Sequence, residues 1–194
     1  MAAGATVFFG LWLQKPLRIA AANPSGQRLA DTVAHCVELD RPGAVLELGA
    51  GTGSLTAGCC ESAARQIVSL PSSVSSLAAM LQSEFPTIRV IEGDAKRIGE
   101  YFSARGERIA AVVSSLPIRW FPLEAQRAIV EPCLELLGPG GSFLQMTNAF
   151  SSPLPIERLG IAGREICRVW LNLLPAQIWA YSQKAQPLAA DGPK

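Results

Sequence analysis

The segment from Ala44 to Gly53 constrains this chain more than any other. Residues 44–48 read AVLEL, a short apolar strand that starts after the turn Arg41-Pro42-Gly43. Glycines follow at 49, 51 and 53, and a helical stretch runs from about Leu55 to Ala64. Glycine without a Cβ lets the backbone turn sharply and lets a ligand approach it closely. A strand, a glycine bend and a helix in that order form the opening unit of an α/β layer. Two familiar phosphate-binding loops do not fit. The dinucleotide fingerprint needs Gly or Ala three residues after Gly51, where Ser54 stands, and no Gly-Lys-Ser/Thr follows as in a P-loop.

The alternation continues along the chain. Gln66 to Leu70 is a second strand, and Ser75 to Phe85 a helix with Leu77, Met80, Leu81 and Phe85 at helical spacing, ended by Pro86. Ile88 to Ile91 is a third strand, followed by a short helix near Arg97 to Arg105. Arg108 to Val113 is a fourth strand, apolar enough for the centre of a parallel sheet. Pro122 to Leu137 is a helix with proline in its first turn and Gly138-Pro139-Gly140-Gly141 at its end. Gly141 to Thr147 is a fifth strand, Ser151 to Gly163 loop-like, and Glu165 to Leu173 with Ala176 to Tyr181 an antiparallel hairpin joined at Leu174-Pro175.

Five strands alternating with helices and closed by a hairpin predict an α/β fold: a doubly wound, mostly parallel, seven-stranded sheet with a C-terminal antiparallel hairpin. The expected organisation is an N-terminal arm over residues 1–22, one domain over 23–182 and a disordered tail over 183–194. A chain of 194 residues needs no disulfide or metal staple to hold a core of this kind. Five cysteines without a CxxC pair read as buried free thiols, and no metal site is expected.

Charged residues make up only 17% of the chain, below the roughly 25% of soluble domains, while hydrophobic residues reach 49%. Net charge is +1, which argues against a dedicated nucleic-acid binder. The charge is unevenly placed. Lys15, Arg18 and Arg28 precede the first acid, Asp31, so the first thirty residues carry +3 and the remainder −2. Val7, Phe8, Phe9, Leu11, Trp12 and Leu13 lie beside the first two of these bases. An aromatic, basic segment of this kind suits an anionic membrane surface. No apolar run reaches the ~18–20 residues of a membrane span. A secretory signal is disfavoured because Lys15 and Arg18 follow the apolar stretch instead of preceding it.

Glu47-Leu-Gly49-Ala50-Gly51-Thr52-Gly53, placed after the first strand, resembles the loop of the S-adenosylmethionine-dependent class I methyltransferases, a Rossmann-like family. The resemblance implies S-adenosylmethionine as cofactor, held by Glu47, Gly49, Ala50, Gly51, Thr52 and Gly53. It also implies that Asp94, in the Glu92-Gly93-Asp94-Ala95 segment, accepts from the adenine amino group, with Ala95 beside it. A carboxylate acceptor suits an exocyclic amine. One family feature is missing. Pro71 stands where an acid at the end of the second strand normally holds the ribose, and Ser69, Ser72 or Ser73 replaces it only in part. Losing one charged hydrogen-bond partner costs roughly 1.5–3 kcal/mol, so cofactor binding is expected to be ~10- to 100-fold weaker.

Three further segments narrow the resemblance. They are Trp12 to Ile19 with Asn23-Pro24-Ser25-Gly26, Ser114-Ser115-Leu116-Pro117 with Trp120-Phe121-Pro122, and Val169 to Ala176 leading to Trp179 and Tyr181. Together, from about Phe8 to Tyr181, they resemble the bacterial phospholipid N-methyltransferases, which convert phosphatidylethanolamine towards phosphatidylcholine. The likeness to rRNA adenine dimethyltransferases is more distant, because nothing like their basic helical domain follows Tyr181. It adds Ser25 to the cofactor site and puts Ser114, Ser115, Leu116 and Pro117 beside the transferred methyl, with Pro117 holding an extended backbone. Phe8, Phe9, Trp12, Lys15 and Arg18 become the membrane contact of an enzyme on the cytoplasmic membrane face. His35, the only histidine, reads as surface or packing, so the amine proton is expected to leave to water or to the lipid phosphate. The rival readings are an rRNA or small-amine methyltransferase and a non-catalytic lipid-binding protein on the same fold. Deleting residues 1–14 is expected to abolish binding to anionic vesicles, and unchanged co-sedimentation would refute the arm's role.

Overall fold

The computed structural model describes residues 32–33, 35–36, 43–51, 53, 55–58, 66–70, 75–102, 108–138, 141–169 and 176–184. The expected N-terminal arm, the region of Pro71 to Ser73, the Leu174-Pro175 joint and most of the expected tail lie outside the described residues. Cys59 and Cys60, expected as buried free thiols, lie outside as well.

Seven strands form one sheet: β1 (Ala44–Leu48), β2 (Gln66–Leu70), β3 (Arg89–Glu92), β4 (Ile109–Ser114), β5 (Ser142–Thr147), β6 (Ile161–Val169) and β7 (Ala176–Gln183). Their order is β3-β2-β1-β4-β5-β7-β6, with β7 antiparallel to both of its neighbours and the rest parallel. The chain winds outward from β1 to β3, then returns to start β4 on the other side of β1. That reversal is the switch point of a doubly wound sheet, where the carboxyl ends of two adjacent strands open a crevice. Register sets the two ends level, with Leu48 opposite Ser114.

Strand pleating divides the core between the two faces. Leu46, Leu48, Val112, Phe143 and Tyr181 pack on one face, against Ile98 and Phe102 of α2 (Ile98–Phe102) and Ile129, Val130, Cys133, Leu134 and Leu137 of α3 (Leu123–Leu137). Val45, Ala111, Val113, Leu144 and Ile178 point to the other face and meet Val33 and Leu55, both in helical segments. α1 (Ser75–Glu84) adds Ala78 and Leu81, which pack with Ala50 and Ile88. Every residue of β1 and of β4 is buried, including Glu47 and Ser114, as befits the mostly apolar central strands of a parallel sheet.

The sheet and its helices match the expected fold, with four local corrections. Ala95–Arg97 forms a 3-10 turn, capped by Asp94, before α2 begins. Pro122 sits at the cap of α3, one position outside its first turn. The loop expected from Ser151 to Gly163 contains a short helix, α4 (Ile156–Leu159), and the first residues of β6, which starts four residues before the expected Glu165. Gly163 made this stretch look like a loop. A Cβ there would lie 2.6 Å from the Tyr181 ring, so the glycine permits the close approach of a cross-strand aromatic. The fourth correction concerns the thiols: Cys133 is buried, whereas Cys36 and Cys167 are only partly so.

Leu46, with no exposed surface at the centre of β1, tests the core directly. Leu46→Ala is expected to cost about 2–5 kcal/mol in urea-induced unfolding, through lost burial and a residual cavity.

Candidate active site

The crevice beyond β1 and β4 gathers the expected loop residues. Gly49, Gly51 and Gly53 have φ of 81°, 55° and 85°, in the left-handed region that only glycine occupies without cost. Gly49 faces the residues that leave β4: a Cβ there would lie 2.8 Å from Leu116 Cδ2 and 3.2 Å from Ser115 Oγ. Ala50 is buried, while Ser25 and Thr52 lie outside the described residues.

Glu47 is fully buried at the floor of this bend, and Thr56 Oγ1 donates to its Oε2 at 2.7 Å. Burial raises its carboxyl to about 7 and outweighs the Thr56 hydrogen bond, which acts in the opposite sense. Asp94 stands at the next strand end, beyond β3. Its Oδ1 accepts from Lys96 N at 3.0 Å and its Oδ2 lies 3.1 Å from Lys96 Nζ. The residue therefore caps the 3-10 turn and retains lone pairs for a further donor. Ala95 opens that turn.

The expected substrate residues are not equivalent. Ser114 is fully buried, and its Oγ accepts from Leu116 N at 3.4 Å. Ser115 ties the two strand ends together: its N–H donates to Leu48 O at 3.0 Å and its hydroxyl to Gly49 O at 2.6 Å. The Leu116 carbonyl accepts from Ile118 N at 2.7 Å and from Gln145 Nε2 at 2.9 Å. Both of its lone pairs are thereby used. Pro117, with φ −74° and ψ 53°, is not extended as expected. The bond from Ile118 N to Leu116 O closes an inverse γ-turn over it and starts the 3-10 turn Ile118–Trp120. Proline's fixed φ allows both conformations, so local sequence does not choose between them.

Sequence reasoning missed the side chains that hold this loop. Gln145 is buried in β5 and also donates to Met146 O at 2.7 Å. Gln126 of α3 donates from Nε2 to Ile118 O at 3.1 Å and Phe121 O at 3.0 Å. Arg119 Nη1 reaches Ser151 Oγ at 3.0 Å and Ser152 O at 3.3 Å, joining the loops beyond β4 and β5. An amide inside an otherwise apolar strand such as SFLQMT was the available signal for Gln145. His35 lies in a helical segment and is exposed. No group of three or more potential metal ligands occurs among the described residues.

These features fit S-adenosylmethionine: an unobstructed glycine backbone, a buried carboxylate whose charge calls for a cation, and a second acceptor at the end of β3. Solved structures agree on the fold. The glycopeptide N-methyltransferase MtfA complexed with S-adenosylmethionine aligns with a TM-score of 0.61 over 82% of this chain and 94% of that one, at 18% identity. TrmN from Thermus thermophilus aligns with a TM-score of 0.64 over 87% of this chain and 53% of that one, also at 18% identity. No protein-family profile matches the chain. The fold and the site define a class I methyltransferase that uses S-adenosylmethionine. Within that class the chain is 30% identical over 147 residues to the ornithine lipid N-methyltransferase of Singulisphaera acidiphila, covering 73% of this chain and 77% of the relative. It belongs to that enzyme's family of S-adenosylmethionine-dependent methyltransferases.

The raised Glu47 carboxyl has a defined pH signature. From the ordinary value of 4.5 up to about 7, the folded state holds a proton that the unfolded state releases. Stability from this group is therefore greatest below 4.5, falls as pH rises through that window, and levels off above 7. Urea unfolding between pH 4 and 8 is expected to show this decline in the wild type and a flatter profile in Glu47→Gln. Identical profiles for the two proteins would contradict the raised carboxyl.

Proposed function

We propose that this methyltransferase transfers methyl groups to the amine headgroup of phosphatidylethanolamine, towards phosphatidylcholine, at the cytoplasmic membrane surface. The observation that carries the lipid reading is the 30% identity to a lipid N-methyltransferase over most of both chains. The aromatic, basic segment from Val7 to Arg18 supports work at an anionic surface. Among the described residues no helix is long and apolar enough to cross a membrane. Contact through the Val7 to Arg18 segment is peripheral in this reading.

S-adenosylmethionine supplies a methyl group activated by its sulfonium centre. The protein's share is position, because in-line displacement depends on alignment of the acceptor. Glu47 holds the cofactor's ammonium, the glycine bend accommodates its methionine and adenosyl parts, and Asp94 accepts from its adenine. Ser115 is the better placed of the two serines to meet the amine. It is only partly buried, and its oxygen keeps lone pairs after its proton goes to Gly49 O. Ser114, fully buried, supports the backbone of Leu116. The amine proton passes to water or to the headgroup's own phosphate.

The relative favours a second reading, in which the acceptor is the amine of an ornithine lipid. Purified protein with methyl-labelled S-adenosylmethionine, offered separately vesicles of each lipid, ribosomal RNA and a soluble amine, distinguishes the readings by mass spectrometry. Label on phosphatidylethanolamine is the expected result. Label on ornithine lipid alone would move the chain to the second reading, and label on RNA or a soluble amine alone would refute the lipid reading.

A further inference from the structure

The crevice described so far holds the cofactor and aims an amine, but among the described residues it contains nothing that recognises the rest of a headgroup. The rim beyond β4 and β5 does. Arg119 is exposed in the 3-10 turn that begins right after Pro117, so it shares a loop with the expected methyl-transfer residues. Its hydrogen bonds to the described residues all use one nitrogen, Nη1, and go to neutral oxygens of Ser151 and Ser152. Among the described residues no carboxylate is paired with it, whereas Arg97, Arg127 and Arg168 each meet a glutamate three or four residues away. Its guanidinium is thus anchored at one corner and permanently charged, and the exposed residue keeps further N–H donors for a ligand. A planar fork held in this way matches the two oxygens of a phosphodiester or a carboxylate.

The apolar surroundings point to a lipid. Trp120, 64% exposed, follows Arg119 directly, and Phe150, 70% exposed, precedes the Ser151 that Arg119 grips. These are two of the three large hydrophobic residues that stand exposed among the described residues. Arg119's own hydrogen bonds bring their two loops together on the sheet's carboxyl edge. A cation between two projecting aromatics suits a headgroup anion with its acyl stem leaving along the rings.

We infer that Arg119 binds the anionic oxygens of the substrate headgroup, with Trp120 and Phe150 flanking the lipid stem, so that the amine projects towards Ser115. This rests on the lipid reading above and adds the group that selects the headgroup. Phosphatidylethanolamine supplies a phosphodiester and ornithine a carboxylate, and the geometry accepts either.

The test measures methylation kinetics on three acceptors, each dispersed in phosphatidylcholine vesicles: phosphatidylethanolamine, ornithine lipid and octadecylamine, which has an amine but no anion. Arg119→Gln is expected to raise KM about ten- to hundredfold for the anion-bearing substrate, with kcat and the calorimetric affinity for S-adenosylmethionine little changed. Arg119→Lys, which keeps the charge but loses the fork, should fall between. Octadecylamine should be used equally well by all three proteins. A penalty confined to phosphatidylethanolamine supports the site and assigns it the phosphodiester, and one confined to ornithine lipid assigns it the carboxylate. Unchanged KM on both lipids overturns the inference while leaving the lipid reading intact. An equal loss on octadecylamine also overturns it, because Arg119 would then only brace the loop. A wild type that methylates neither lipid overturns the lipid reading and this site with it.

Discussion

The two hydrogen bonds from Ser115 to the end of β1 hold the rest of the site in place. One residue donates its N–H to Leu48 O and its hydroxyl to Gly49 O, and so fixes the exit of β4 against the glycine bend. The two strands are neighbours in space because the sheet reverses direction there, although 66 residues separate Ser115 from Gly49. Gly49 is part of the same constraint, since its φ of 81° strains any other residue and a Cβ there would crowd the Leu116 side chain. The glycine bend and the loop after β4 therefore share one junction. Alignment between donor and acceptor depends on it, and alignment is where most of the acceleration of a methyl transfer arises.

Around that junction, buried amides do work that backbone pairing cannot. A loop leaving a parallel strand has carbonyls with no partner in the sheet, and burying them unpaired is costly. Gln145 and Gln126 supply those partners from β5 and α3. The result is a short stretch, Leu116 to Phe121, whose backbone is held from two sides while Arg119 and Trp120 project from it. Rigid backbone with outward side chains is what a recognition loop requires. Glu47 shows the opposite use of burial. Removing a carboxylate from water makes its charge expensive, so the group holds its proton up to about 7 unless a cation accompanies it. A buried acid at the cofactor edge is thus tuned to favour a positively charged ligand.

Much of this was legible beforehand for identifiable reasons. Mostly apolar β1 and β4 read as central strands, and alternate glycines after Leu48 as a bend at a strand end. Glu47 and Asp94 stood out as acids at those ends. Pro117 was misread because its ring restricts φ and leaves ψ to the hydrogen bonds around it. The start of β6 was misread because Gly163, which weakens a strand locally, is required there by Tyr181 from β7. Arg119 left no local signal at all, since the serines that anchor it belong to another loop.

By itself the sequence determined the order of strands and helices and the place of the glycine bend, which follow from apolar periodicity and glycine geometry acting over a few residues. The kind of cofactor followed from the resemblance of that loop to the class I methyltransferases. Tertiary structure alone decided which serine stays accessible, which carbonyls are already satisfied, and that an arginine between two exposed aromatics lies on the rim of the site. Each of these depends on contacts between segments roughly 30 to 70 residues apart, brought together only when the sheet closes its switch point.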